Sequence, residues 1–86
     1  MILRVRHVSY VHDRPDQVLA AHLKRLREER EITQEQLAFD AGITTSALSR
    51  IERGLNSPGW TTVKRIGRAL NVSIAQIAAD VDGASD

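Results

Sequence analysis

The sequence predicts an all-α domain: a compact bundle of five short helices, preceded by a short extension that reads as a candidate β-strand. Three observations point to it. Apolar residues recur at three- and four-residue spacing in separate stretches between Leu19 and Ile77. Most of these stretches open on a side chain suited to capping a helix, namely Asp16, Thr33, Thr44 or Ser73. The chain has 86 residues, no cysteine and one each of Phe, Trp and Tyr, so a single small core must form by packing aliphatic side chains.

Residues 1–16 stand apart from the rest. Ile2 to Val11 is rich in β-branched residues, with polar ones interspersed irregularly, and Pro15 ends the stretch. A lone strand cannot satisfy its own backbone groups, so pairing with a partner chain or docking on the helices is expected. The first helix should run from Gln17 to about Arg30 and bury Leu19, Leu23 and Leu26, with Arg25, Glu28 and Glu29 turned to water. The second follows Thr33, which forms a capping box with Gln36, and ends near Ala41. The third follows Thr44 and runs to about Arg53, where Gly54 stops it. Breaker residues fill 54–59. The fourth spans about Trp60 to Leu70, burying Val63, Ile66 and Leu70, with Trp60 as a core or edge-of-core anchor. The fifth, capped by Ser73, buries Ile74 and Ile77 and ends near Val81. This divides the chain into an extension (1–16), a helical domain (17–81) and a frayed tail (82–86).

The stretch QEQLAFDAGITTSALSRI, residues 34–51, carries the most information. Two helices joined at a single glycine must cross steeply. That crossing needs a small residue (Ala38), a backbone free to take positive φ (Gly42) and branched apolar residues beneath the second helix (Leu48, Ile51). The outward side of that second helix is then Thr44, Thr45, Ser46, Ser49 and Arg50. Short polar groups with one arginine suit the edges of bases in a DNA groove.

Charge is unevenly placed. The chain carries a formal +1, but residues 28–40 sum to −4 and residues 44–68 to +4. A polyanion would therefore meet one basic segment, although the same charges also fit an ordinary solvated surface. Catalysis is not expected. His7, His12 and His22 lack an acidic or thiol partner at ligand spacing, no GxSxG setting surrounds a serine, and no glycine-rich phosphate loop is present. No metal or cofactor is expected. No stretch approaches the roughly 18 apolar residues of a membrane span, and the start does not read as a signal peptide, so a cytoplasmic setting is expected.

From Leu19 to Ile77 the pieces LKRLREER, ITQEQLAFDAGIT, LSRIERG, NSPGWTTVKRIGRAL and NVSIAQI occur in an order and spacing that resembles the Cro/C1-type helix-turn-helix domain of phage repressors, the XRE family. The resemblance implies a bundle of the lambda-repressor-like type. Its third helix would enter the major groove, its second would lie across the backbone, and dimers would bind two-fold-related half-sites. It further implies that Gln34 contacts phosphate, that Thr45 and Ser46 read bases, and that Arg27 pairs with Glu52, fixing the third helix and leaving Arg27 near phosphate. Arg50, one turn on, is long enough to reach a guanine or, alternatively, a phosphate. Thr44 is either a base contact or only a cap. Arg53, Asn56 and Ser57 fit phosphate contacts, and of the fourth-helix bases only Lys64 is expected near DNA. Where the family has glycine, this chain has Glu31, which implies a different and costlier exit from the first helix.

The expected function is sequence-specific binding of double-stranded DNA by a homodimeric transcriptional regulator. The alternative is a protein-interaction module on the same fold, antitoxin-like or accessory, with residues 1–16 binding a protein partner.

Overall fold

The computed structural model describes residues 16–85, and the candidate strand at Ile2–Val11 lies outside them. Among the described residues five helices follow one another: α1 (Gln17–Glu29), α2 (Gln34–Ala41), α3 (Thr45–Glu52), α4 (Trp60–Leu70) and α5 (Ile74–Ser85). Helix α2 packs on α3 and α4, α1 on α3 and α5, and α4 on α5. The core they enclose is aliphatic, with Leu23, Leu37, Leu48, Ile66, Leu70 and Ile77 as its most deeply buried large side chains.

Local chemistry sets the boundaries. Asp16, Thr33, Thr44 and Ser73 each accept a hydrogen bond at 3.0 Å from the backbone N–H three residues on, namely that of Leu19, Gln36, Ala47 and Gln76. Each cap thereby satisfies one of the orphan donors of a first helical turn. The capping box at Thr33 is only half made. Gln36 does not reach back but turns its amide forward to Asp40, one turn along α2, at 3.2 Å.

Gly42 takes φ 74° and closes α2, and the N–H of Ile43 returns to the Ala38 carbonyl at 3.0 Å. Ala38 and Ala41, both buried, leave room for α3 to cross close by. The exit from α1 differs from expectation. Glu31 itself adopts φ 55°, so the chain keeps the left-handed turn and places a residue with a Cβ in it. Gly67 answers a different need. A Cβ there would sit 2.8 Å from the Val72 carbonyl oxygen and 3.0 Å from Ile77 Cδ1, so this glycine lets α4 and the chain entering α5 approach closely.

Of two further expectations, one is narrowed and one corrected. Trp60 is 65% exposed and does not sit in the core: as the first residue of α4 it borders an apolar groove with Leu19, Val63 and Ile77 at the core's edge, while Val63 and Ile66 supply the buried contacts of the helix. Helix α5 does not end near Val81 but continues through Gly83 to Ser85, because a lone glycine weakens a helix without stopping it. Phe39, at 82% exposure, lies on the solvent side of α2.

Candidate nucleic-acid interface

Helix α3 has an inner and an outer side. Leu48, Ile51 and Glu52 are buried, whereas Thr44, Ser46, Arg50 and Arg53 are exposed and Thr45 and Ser49 are half-buried. The outer ridge is therefore Ser46–Arg50–Arg53, at helical spacing, with Thr45 and Ser49 along its flank. The Thr44 hydroxyl oxygen accepts the Ala47 N–H, which leaves its own O–H free to donate.

Arg50 leans on the loop that follows its helix. With the Asn56 amide oriented to satisfy both of its ends, its oxygen accepts from Arg50 Nε at 3.1 Å and its nitrogen donates to the Leu55 carbonyl at 2.9 Å. The Leu55 N–H in turn donates to the Arg50 carbonyl at 2.9 Å. Arg50 and Asn56, separate in the sequence reading, thus form one exposed unit. Arg53 stands beside it at the end of α3.

Behind this ridge lies a buried clamp. Arg27 on α1 donates from Nε to Glu52 Oε2 at 2.8 Å and from Nη2 to Glu52 Oε1 at 3.0 Å. Its Nη1 donates to the Ile32 carbonyl at 2.9 Å. The side chains of Arg27 and Glu52 are 12% and 1% exposed. Their charge-assisted, two-pronged contact is the strong form of such a pair. The hydrogen bond from the Arg27 guanidinium to Glu52 holds the Arg27 pKa above its ordinary value, against the opposing effect of burial. The guanidinium is thereby committed to the interior and is not presented beside the α3 ridge.

Gln34, half-buried at the start of α2, adds the third arm. Its Nε2 donates to Glu52 Oε1 at 3.0 Å. An amide nitrogen carries two hydrogens, so one remains for a partner outside the domain. Sequence reading gave Gln34 only an outward role. The missed signal is the buried Glu52, whose two oxygens need more donors than Arg27 alone supplies.

The remaining bases lie elsewhere. Lys64 and Arg68 line an open groove with Asn71–Ile74, while Arg65 and Arg68 border a second one with Phe39 and Asp40. His22 has an acidic neighbour after all: its Nε2 is 3.3 Å from Asp80 Oδ2 on α5, and its Nδ1 faces Arg25 Nη2 at 2.8 Å. The Nε2 contact lies in ion-pair range but is not aligned as a hydrogen bond. No group of three potential metal ligands occurs among the described residues. None of the described helices is long and apolar enough to cross a membrane.

A two-helix unit joined at a left-handed glycine, clamped from behind and exposing a polar ridge, defines a helix-turn-helix domain. The chain belongs to the helix-turn-helix domain family, whose model matches residues 18–79. It is 31% identical over 65 residues to the HTH-type transcriptional regulator y4dJ of Sinorhizobium fredii, covering 76% of this chain and 84% of that one. It is 41% identical over 51 residues to the HTH-type transcriptional repressor RghR of Bacillus subtilis, covering 58% of this chain and 38% of that one. The chain spans about two fifths of the length of RghR and of the immunity repressor of Bacillus phage phi105, which it also matches. Among solved structures, the clp gene regulator ClgR of Corynebacterium glutamicum superimposes with a TM-score of 0.75 at 25% identity, over 80% of this chain and 73% of that one.

Proposed function

We propose that this chain is a sequence-specific DNA-binding regulator of transcription, working in the cytoplasm as a homodimer on a two-fold operator, with α3 in the major groove and α2 across the backbone. The observation that carries the reading is the clamped ridge: Ser46, Arg50 and Arg53 face outward on a helix whose inner side is fixed by Arg27, Glu52 and Gln34. A reader must hold its side chains in fixed register against base edges, and buried bidentate bonding supplies that rigidity. The relatives named as transcriptional regulators and repressors support the same reading.

Each residue then takes a role. Thr44, Thr45, Ser46 and Ser49 approach base edges. Arg50 addresses a guanine O6/N7 pair, releasing Asn56 as it does so. Gln34 gives its second N–H to a phosphate, and Arg53, Asn56 and Ser57 flank it along the backbone. Arg27 acts from behind, as a positioning group for Glu52 and α3. Selection of bound fragments from a random DNA pool tests the whole. The expected result is paired half-sites with centres about 10 base pairs apart. Recovery of no preferred sequence overturns the reading.

The second reading, a protein-interaction module on the same fold, draws on Phe39, which stands exposed beside Arg65 and Arg68. It predicts DNA affinity no better than a non-specific background.

A further inference from the structure

Most arginines of the described domain are already engaged. Arg25 faces Glu29 and His22, Arg27 holds Glu52, Arg30 donates to the Leu70 carbonyl, and Arg50 leans on Asn56. Arg53 belongs to the α3 ridge. Arg65 and Arg68 remain. Both are exposed, three residues apart on α4, and therefore on one face of that helix. Neither guanidinium makes a hydrogen bond or ion pair with another described residue.

Phe39 on α2 stands beside them. At 82% exposure it is the most exposed large apolar side chain among the described residues. Phe39, Arg65 and Arg68 border one open groove. Its other apolar lining is small, Ala41 and Ala69, which leaves the Phe39 ring open to a visiting side chain. The acid at the groove, Asp40, already takes the Gln36 amide on both carboxylate oxygens at 3.2 Å. Two free cations thus outweigh one occupied anion. A solitary exposed apolar residue needs no explanation. An aromatic ring flanked by two unpaired arginines is different, because those residue types are the ones enriched at the energetic centres of protein interfaces.

The groove is also set apart from the candidate DNA face. No residue of α3 or of the loop after it lines the groove. Gln34 opens α2, and Phe39 lies more than one helical turn further along. Arg68 is in the last turn of α4.

We propose that this groove docks an acidic segment of a protein partner, with an apolar side chain of that segment packed on Phe39 and its carboxylates held by Arg65 and Arg68. The planar fork of arginine matches a carboxylate. A DNA backbone would satisfy the arginines but offers no apolar group to the ring, so a protein fits better than a polyphosphate. The inference goes beyond the DNA-binding reading and stands whether or not α3 reads a sequence. It gives the protein-interaction reading a surface and a chemistry, and it allows partner and duplex to be held together.

The test uses the full chain and a fluorescein-labelled dodecapeptide of Asp and Glu around two leucines. One control peptide carries Lys in place of the acids, and another carries Ser in place of the leucines. Fluorescence anisotropy should show saturable binding of the first peptide, none of the Lys peptide and weaker binding of the Ser peptide. Phe39→Ser should weaken binding about tenfold, and Arg65→Gln with Arg68→Gln by a similar factor. Unfolding midpoints should stay at the parent value, since all three side chains are exposed. A selected duplex should bind parent and variants alike and should not displace the peptide. Absence of binding by the acidic peptide, equal binding of the Lys peptide, or a Phe39→Ser variant that binds like the parent overturns the docking site. Loss of duplex affinity in the double arginine variant with peptide binding intact also overturns it and makes those arginines phosphate contacts. Peptide binding with these dependences by a parent chain that selects no duplex supports the groove and sinks only the DNA-binding reading.

Discussion

Arg50 carries the largest single expectation for specificity. Arg50→Ala removes one of the two long donors on the α3 ridge while leaving the core untouched. Discrimination at one base pair should relax by about 1–3 kcal/mol, with unfolding stability changed by less than roughly 0.5 kcal/mol. Competition binding with single-base variants of the selected site would show this, and equal loss on all sequences would make Arg50 a phosphate contact instead. Arg27 behaves oppositely. Arg27→Met strands Glu52, 1% exposed, without its charge partner, and urea unfolding should show a loss of about 3–5 kcal/mol. Adding Glu52→Leu should recover most of it, and a single variant as stable as the parent would mean that the pair does not hold α3. At Glu31 the left-handed φ of 55° strains a residue with a Cβ. Glu31→Gly should therefore stabilise the domain by about 1 kcal/mol, raising Tm by roughly 4–8 °C. The departure from glycine was legible in the sequence, but its consequence was not. A substitution says which residue is present, and only the fold says whether the backbone yields to it. Trp60 departs from expectation for a related reason: its place as the first residue of α4 keeps it at the edge of the core.

At the level of the elements, sequence and structure agree where the controlling forces are short-ranged. The caps at Asp16, Thr33, Thr44 and Ser73 and the stop at Gly42 each involve residues within a turn of one another, and each is readable from the chain alone. The half-made capping box shows the limit, since the Gln36 amide could either accept from the Thr33 N–H or donate to Asp40, and the exposed carboxylate of Asp40 won. Gly67 shows another. Nothing local in α4 requires a glycine, and the requirement comes from Val72 and Ile77 in the next element. Gly67→Ala should cost about 1–3 kcal/mol by overpacking, despite the better helix propensity of alanine. A gain in chemical-denaturation stability would mean that α4 and α5 can separate without loss.

Over the whole molecule, the contacts that the sequence hides join residues far apart in the chain: Gln34 with Glu52, Asp16 with Ser57 and His22 with Asp80. Composition and spacing carry no information about such pairs until the helices are placed. Net charge hides something similar, because +1 averages an acidic stretch with a basic one. If the basic side meets DNA, a dimer neutralising about six phosphates should lose roughly 10³-fold in affinity between 50 and 200 mM salt, measured by fluorescence anisotropy. An affinity indifferent to salt would count against any phosphate-lined docking. The Arg27–Glu52–Gln34 clamp also bears on how such a chain can change. It anchors three helices from the inner side, whereas Ser46, Arg50 and Arg53 occupy the outer side and support nothing in the core. Recognition can therefore drift one residue at a time without a stability threshold to cross, and new target preferences can be grafted onto the outer side as long as those three inner positions are kept.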